Sequence, residues 1–227
     1  MLSSGSWHSL KLEKEKVDAA MPLNDAENID SLIAPKRDGE PIRIGLISDT
    51  HIPRDAKMLP PCVKEVFKNV DLILHAGDIY LPEILDELET IAPVRAARGN
   101  GDWNFPEDPR LDEHHVFDIG GLSLGLTHAI NYPVPPGYPL DEITERQFGK
   151  RIDIIVFGDS HVAMVDRYNG ILLVNPGSPT LPNGRFELGT VALLEIMKGS
   201  VEARIIRLSE FPLPFDKGLV YYPGGGA

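Results

Sequence analysis

Residues 42–51 read Ile-Arg-Ile-Gly-Leu-Ile-Ser-Asp-Thr-His, a nearly continuous apolar run that stops on Asp49 and His51. Such a run marks a strand buried on both faces, and the pattern recurs downstream. Asp71–Leu74 leads into His75-Ala-Gly-Asp78, and Val94–Ala97 into Arg98-Gly-Asn100-Gly-Asp102. Leu122–Leu126 runs into Thr127-His128, and Ile152–Phe157 into Gly158-Asp159-Ser160-His161. Helical spacing over Pro61–Asn69, Pro82–Glu89 and Leu140–Gly149 falls between these strands; a proline at the first position suits a helix start.

Three hairpins complete the pattern. Gly120-Gly121 separates Val116–Ile119 from Leu122–Leu126, and Asn169-Gly170 separates Val162–Tyr168 from Ile171–Val174. Lys198-Gly199 separates Thr190–Met197 from Val201–Leu208. Asn-Gly is a strong two-residue hairpin signal. The first half therefore reads as βαβαβ and the second as mostly antiparallel. The expected class is α/β, two packed sheets with helices outside.

The ends differ from this body. Residues 1–40 are polar with little hydrophobic periodicity and read as a flexible extension, with a short helix over 10–20 as its one regular option. Residues 211–227 carry three prolines and close on Gly-Gly-Gly-Ala, an irregular tail that Phe211, Phe215 and Tyr221 would pin to the body. One domain is expected over 41–210.

The 227 residues are 42% hydrophobic and 25% charged, ordinary for a globular chain, with a formal net charge of -12. That charge opposes binding to long nucleic acid, which needs a basic track. It does not oppose a small phosphorylated substrate, because a metal cluster overrides the surrounding field. Cys62 is the only cysteine, so there is no intrachain disulfide and no Cys-rich zinc site. No apolar run is long enough for a membrane helix, and the first residues lack an apolar h-region, so no secretory signal is expected. A soluble, cytoplasmic protein is expected, and a homo-oligomer is compatible with it.

Ligands of α/β sheets gather outside the carboxyl ends of strands. Five strands here deliver carboxylate, imidazole or carboxamide groups to such an edge. In extended backbone, residues i and i+2 face the same way, so Asp49/His51 and Asp159/His161 could each aim two side chains at one centre. Imidazole and carboxylate together suit Zn, Mn, Fe or Ni.

The order Asp49-x-His51, Gly77-Asp78, Gly99-Asn100, Thr127-His128, Gly158-x-x-His161 resembles that of the calcineurin-like metallophosphoesterases, most closely their small single-domain phosphodiesterase branch. His75-Ala-Gly-Asp78 and Asn175-Pro-Gly-Ser178 add to the likeness, which covers about residues 42–208. It implies a four-layer sandwich of two mixed β-sheets flanked by helices. It also implies two divalent ions, Mn first with Ni, Zn, Fe or Co as alternatives. Asp49, His51 and His161 would hold one ion, Asn100 and His128 the other with Asp159 beside them, and Asp78 would bridge. In such centres the ions sit about 3.5–4 Å apart and hold a hydroxide that attacks phosphorus. The implied function is hydrolysis of a small phosphodiester or phosphomonoester.

Two positions depart from the family. Asp159 stands where Gly-His-x-His usually places an imidazole, adding a negative charge to the cluster, and Gly101 stands where many members carry a histidine that serves the leaving group. His75 and Asp102 are candidates for a supporting role beside the ligands, and Arg98 and Asn100 for contact with substrate. Trp103 and Phe105 suit an apolar wall for a substrate base, His8, His114 and His115 read as surface residues, and Asn175-Pro-Gly-Ser178 as a tight turn. Asp49-Thr-His-Ile-Pro-Arg-Asp55 also resembles the first loop of the retromer scaffold subunit, a relative that works through its apolar surface. A binding module of that kind is the alternative function.

Overall fold

The computed structural model describes residues 31–181 and 188–210, together with the backbone of two outlying strands at Glu27–Asn28 and Leu219–Tyr222. Those two are β1 and β13. Between them run β2 (Ile42–Ile47), α1 (Cys62–Phe67), β3 (Leu72–His75), α2 (Pro82–Glu89) and β4 (Val94–Ala97). β5 (Leu111–Asp112), β6 (His114–Ile119), β7 (Leu122–Thr127), α3 (Leu140–Phe148) and β8 (Ile154–Val156) follow. The chain closes through β9 (Met164–Tyr168), β10 (Ile171–Asn175), β11 (Thr190–Met197) and β12 (Ser200–Arg207).

Two mixed sheets result, ordered β1-β6-β7-β8-β10-β9 and β13-β12-β11-β2-β3-β4-β5. Strand alternation divides the core into layers. Ile44, Leu46, Leu72 and Leu74 of one sheet meet Leu124, Leu126, Ile154 and Val156 of the other. The intervening residues Ile47, Ile73 and Ala96 face outward to Val63 and Phe67 of α1 and Leu85 and Leu88 of α2. Ile155, Leu173 and Val116 face Leu140 and Phe148 of α3. Burial on both faces is why these strands read as unbroken apolar runs. Each sheet carries one glycine beneath a helix phenylalanine. A Cβ would come within 2.9 Å of the Phe67 ring at Gly45 and within 2.8 Å of the Phe148 ring at Gly125.

The three hairpins form as their turns predict, with Ile119 opposite Leu122, Tyr168 opposite Ile171 and Met197 opposite Ser200. The second half is mostly antiparallel, as its pattern predicts, with one exception at β8. β8 lies between β7 and β10 and is parallel to both. A parallel pair needs a long crossover, and α3 supplies it between β7 and β8.

The expected boundary at residue 41 also moves. Ile33 is only 8% exposed and lies in the inter-sheet core. Lys36 Nζ sits 2.6 Å from Asp71, and β1 pairs in parallel with β6. Residues 31–40 therefore pack on the body. At the other end, β13 pairs with β12 where an irregular tail was expected. The helix option over 10–20, His8, and the anchoring roles of Phe211, Phe215 and the Tyr221 side chain lie outside the described residues. Ile33→Ala should lower stability by about 2 kcal/mol, the low end for emptying a buried isoleucine site. A urea midpoint equal to that of the parent would show that the segment carries no share of the core.

Candidate metal centre

β2, β3 and β4 are adjacent and parallel, as are β7 and β8 in the facing sheet. Their carboxyl ends bring Asp49, His51, Asp78, Asn100, His128, Asp159 and His161 to one edge. Backbone hydrogen bonds stitch the loops together: Asp49 N donates to Gly77 O (2.9 Å), His51 N to Asp78 O (3.0 Å), and Gly158 N to His128 O (2.8 Å).

The side chains converge for a different reason from the one expected. Asp49 (φ 53°), His51 (φ 48°), Asp78 (φ 56°), Asp159 (φ 65°) and His161 (φ 57°) all adopt left-handed backbone rather than extended. Each chain turns sharply as it leaves its strand. For residues with a Cβ such conformations cost on the order of 1 kcal/mol or more, and they gather at functional sites.

Two compact ligand groups form. Asp49, His51 and His161 make one; Asp49, Asp78 and His128 make the other, the ligand atoms of each lying within 4.8 Å of one another. Asp78 divides its oxygens between the groups, Oδ2 lying 3.1 Å from His51 Nε2 and Oδ1 3.6 Å from His128 Nε2. Asp49 Oδ1 lies 3.5 Å from His161 Nε2 and 4.0 Å from His51 Nε2.

The surrounding bonds aim the imidazoles. His128 Nδ1 donates to Ala76 O at 2.6 Å, which turns Nε2 inward, 2.9 Å from Asn100 Oδ1. In the neutral ring those are two acceptors facing each other, an arrangement that a shared cation resolves. His51 Nδ1 is held by Asp55 Oδ2 at 2.9 Å, and its Nε2 is likewise directed inward. Asp49 Oδ2, His51 Nε2 and Ser48 Oγ are buried without a hydrogen-bond partner. Buried orphans of this kind are rare unless an ion or water satisfies them. The donor set thus fits divalent metal.

Titration agrees. Burial holds the Asp49 carboxyl above the usual carboxylate range, against the lowering influence of the neighbouring Ser48 hydroxyl. Burial also works to lower His51, but the adjacent carboxylates of Asp78 and Asp55 outweigh that and raise it. Burial works to raise Asp78, but the nearby His51 imidazole and the hydrogen bond from Gly101 N outweigh it and lower it. A bound cation would favour the carboxylate form of Asp49 and the neutral form of His51, and so would compete with protons at both.

The remaining candidates separate. Asp159 is 56% exposed at its side chain, with Oδ1 3.7 Å from His128 Nε2, and belongs to neither compact group. His75 does not face the ligands: its Nε2 lies 3.2 Å from Thr50 Oγ1, and its Nδ1 accepts from Gly77 N. Full burial lowers it to about 3, so it remains neutral. Arg98 is tied to Asp102 O at 3.0 Å and Glu113 at 3.3 Å rather than left for substrate. Asp102 is buried and holds three backbone N–H groups, those of Ile79, Tyr80 and Gly99. Phe105 is in the core, whereas Trp103 is 79% exposed, so the two do not form one wall. His115 is buried rather than on the surface, its Nε2 2.9 Å from Ala96 O.

Several contributors had no clear signal in the sequence. Asn175-Pro-Gly-Ser178 is more than a turn: Asn175 Nδ2 donates to Gly158 O (2.7 Å) and Ser178 Oγ to Asp49 O (2.7 Å). Thr180 Oγ1 donates to Thr50 O at 2.7 Å. This loop pins ligand loops of both sheets. Asp55, four residues after His51, and Tyr80, two after Asp78, were also missed.

The calcineurin-like phosphoesterase superfamily domain matches this chain over residues 42–199. A probable metallophosphoesterase of Methanothermobacter thermautotrophicus is 40% identical over 72% of this chain and 91% of its own. Among solved structures, Vacuolar Protein Sorting 29 from Cryptosporidium parvum aligns with TM-score 0.64 and 25% identity, over 81% of this chain and 98% of its own. Vps29 of Entamoeba histolytica in complex with zinc gives TM-score 0.58 and 25% identity, over 79% and 96%. The match takes in both sheets and every loop that carries a ligand, and on that ground the chain belongs to the calcineurin-like phosphoesterase superfamily.

Proposed function

We propose that this protein hydrolyses a small phosphodiester or phosphomonoester at a centre of two divalent ions. The observation that carries this is Asp78, whose two oxygens address one imidazole of each ligand group. Asp49, His51 and His161 would hold one ion, Asn100 and His128 the other, and Asp78 would span both. Divalent ions there would polarise the phosphoryl oxygens and acidify a water as nucleophile. The chain's own residues supply position. Asp55 and the Ala76 carbonyl fix the two imidazoles, and Ser178 and Thr180 hold the Asp49 loop. Manganese is the first choice of metal, with nickel, zinc, iron and cobalt as alternatives; the zinc complex of the Entamoeba relative supports a divalent ion of this class.

Protein loaded with Mn should hydrolyse an aryl phosphodiester, and chelation should abolish the reaction. No turnover above blank with any of the five metals would sink the enzymatic reading and favour the Vps29-like binding module. Asp159→His tests the second ion specifically. It replaces a half-exposed carboxylate near His128 by a neutral imidazole, leaving the centre more positive. Turnover should rise severalfold, the rising limb of the pH profile should move to lower pH, and nickel and zinc should gain on manganese. An unchanged rate, pH profile and metal preference would show that position 159 lies outside the coordination sphere.

A further inference from the structure

Tyr80 occupies a place that its backbone does not adopt freely. Its φ is 73°, left-handed for a bulky aromatic residue, and it is held there by the hydrogen bond from its N–H to Asp102 Oδ1 at 2.8 Å. Strain of this kind persists only where the surroundings impose it. The result is that the ring lies over Gly101, in the space that any side chain at position 101 would fill. It also packs edge-on against His51, with centroids 5.0 Å apart.

The phenol oxygen is thereby set on the outer side of the His51 imidazole, beside the turn that carries Gly101. On one side it is 3.5 Å from His51 Nδ1, the nitrogen directed away from the other ligands. On the other it lies above Gly101, whose N–H donates to Asp78 Oδ1 at 2.6 Å. Tyr80 thus stands beside the ligands without being one. Its oxygen accepts a hydrogen bond from Arg54 Nη1 at 3.2 Å. Arg54 Nε has Asp55 Oδ2 within 3.8 Å, and its side chain is 69% exposed. A planar guanidinium with free N–H groups is suited to two oxygens of a phosphate. Around it the ligand set is rich in carboxylates, so a cation at this rim offsets repulsion of an anionic substrate.

We propose that Arg54 and Tyr80 form a phosphate clamp at the rim of the metal centre, Arg54 gripping non-bridging phosphoryl oxygens while Tyr80 holds the guanidinium in place. The clamp rests on the phosphoesterase reading for its location, but its test does not require turnover. Inorganic phosphate is titrated into Mn-loaded protein by calorimetry, with Mn affinity measured separately. Arg54→Ala should weaken phosphate binding about tenfold or more, the scale of a hydrogen bond to a charged group, and leave Mn affinity unchanged. Arg54→Lys should recover only part of the loss. Tyr80→Phe keeps the ring over Gly101 and removes only the hydroxyl. It should weaken phosphate binding several-fold, and Arg54→Ala should cost less in its background than alone.

Phosphate affinity unchanged in Arg54→Ala overturns the clamp. So does a parallel fall in Mn affinity, or wild-type protein that binds Mn but no phosphate. Arg54-dependent phosphate binding without hydrolysis of any ester would instead refute the enzymatic reading and leave the clamp standing.

Discussion

Asp78→Ala is expected to release metal from both positions and to lower turnover by on the order of a thousandfold. The scale is that of removing a preorganised electrostatic contact from a reacting centre. Its oxygens lie 3.1 Å from His51 Nε2 and 3.6 Å from His128 Nε2, so truncation removes at once the carboxylate oxygens that face one imidazole of each group. It also removes the acceptor of Gly101 N, loosening the turn that presents Asn100. Asp49→Ala provides the contrast. Asp49 belongs to both compact groups, yet the nearest imidazole to its Oδ1 is His161 at 3.5 Å, so its loss should fall mainly on the His51–His161 side. Elemental analysis of each variant after Mn loading and gel filtration separates the cases. Full metal content in Asp78→Ala would show that Asp78 does not bridge.

Much of this centre was open to view in the sequence because its ligands follow the most readable elements. An apolar run such as Ile42–Ile47 can be recognised without tertiary information, since burial on both faces removes every polar residue that could obscure it. Where it ends, Asp49 and His51 stand out. The way they converge could not be read the same way. Left-handed backbone at five residues of the centre has no local signature, because Asp and His enter that region more readily than most residues but still only at a few per cent of positions. The parallel pairing of β8 was hidden by its three-residue length and by the hairpin beside it. Ile33 was hidden by a polar neighbourhood that offers no periodicity. Tyr80 and the Asn175–Thr180 loop act across long sequence separations, through hydrogen bonds that pattern does not encode.

Asp102→Asn should destabilise the protein by about 2–4 kcal/mol, a large part of the 5–15 kcal/mol that holds a typical domain together. The side chain is 1% exposed, and both oxygens are occupied as acceptors. Oδ1 receives Ile79 N and Tyr80 N at 2.8 Å each, and Oδ2 receives Gly99 N at 2.9 Å. Asparagine has nearly the same shape but turns one acceptor into a donor. If its NH₂ faces Gly99, one buried N–H is stranded; if it is flipped, two are. Each buried donor left unpaired costs about 1–3 kcal/mol, and the bonds that remain lose their charge assistance. The damage should reach the metals, because these three bonds clamp the loop after Asp78 to the loop before Asn100. Mn affinity should therefore fall along with the urea midpoint, and Tyr80 should lose the anchor that holds it over Gly101. The same variant decides between holding and chemistry at this position. A folded Asp102→Asn protein with parental stability and Mn affinity but little turnover would make Asp102 a participant in proton transfer. Stability and Mn affinity falling together would identify it as the clamp on which the ligand geometry depends.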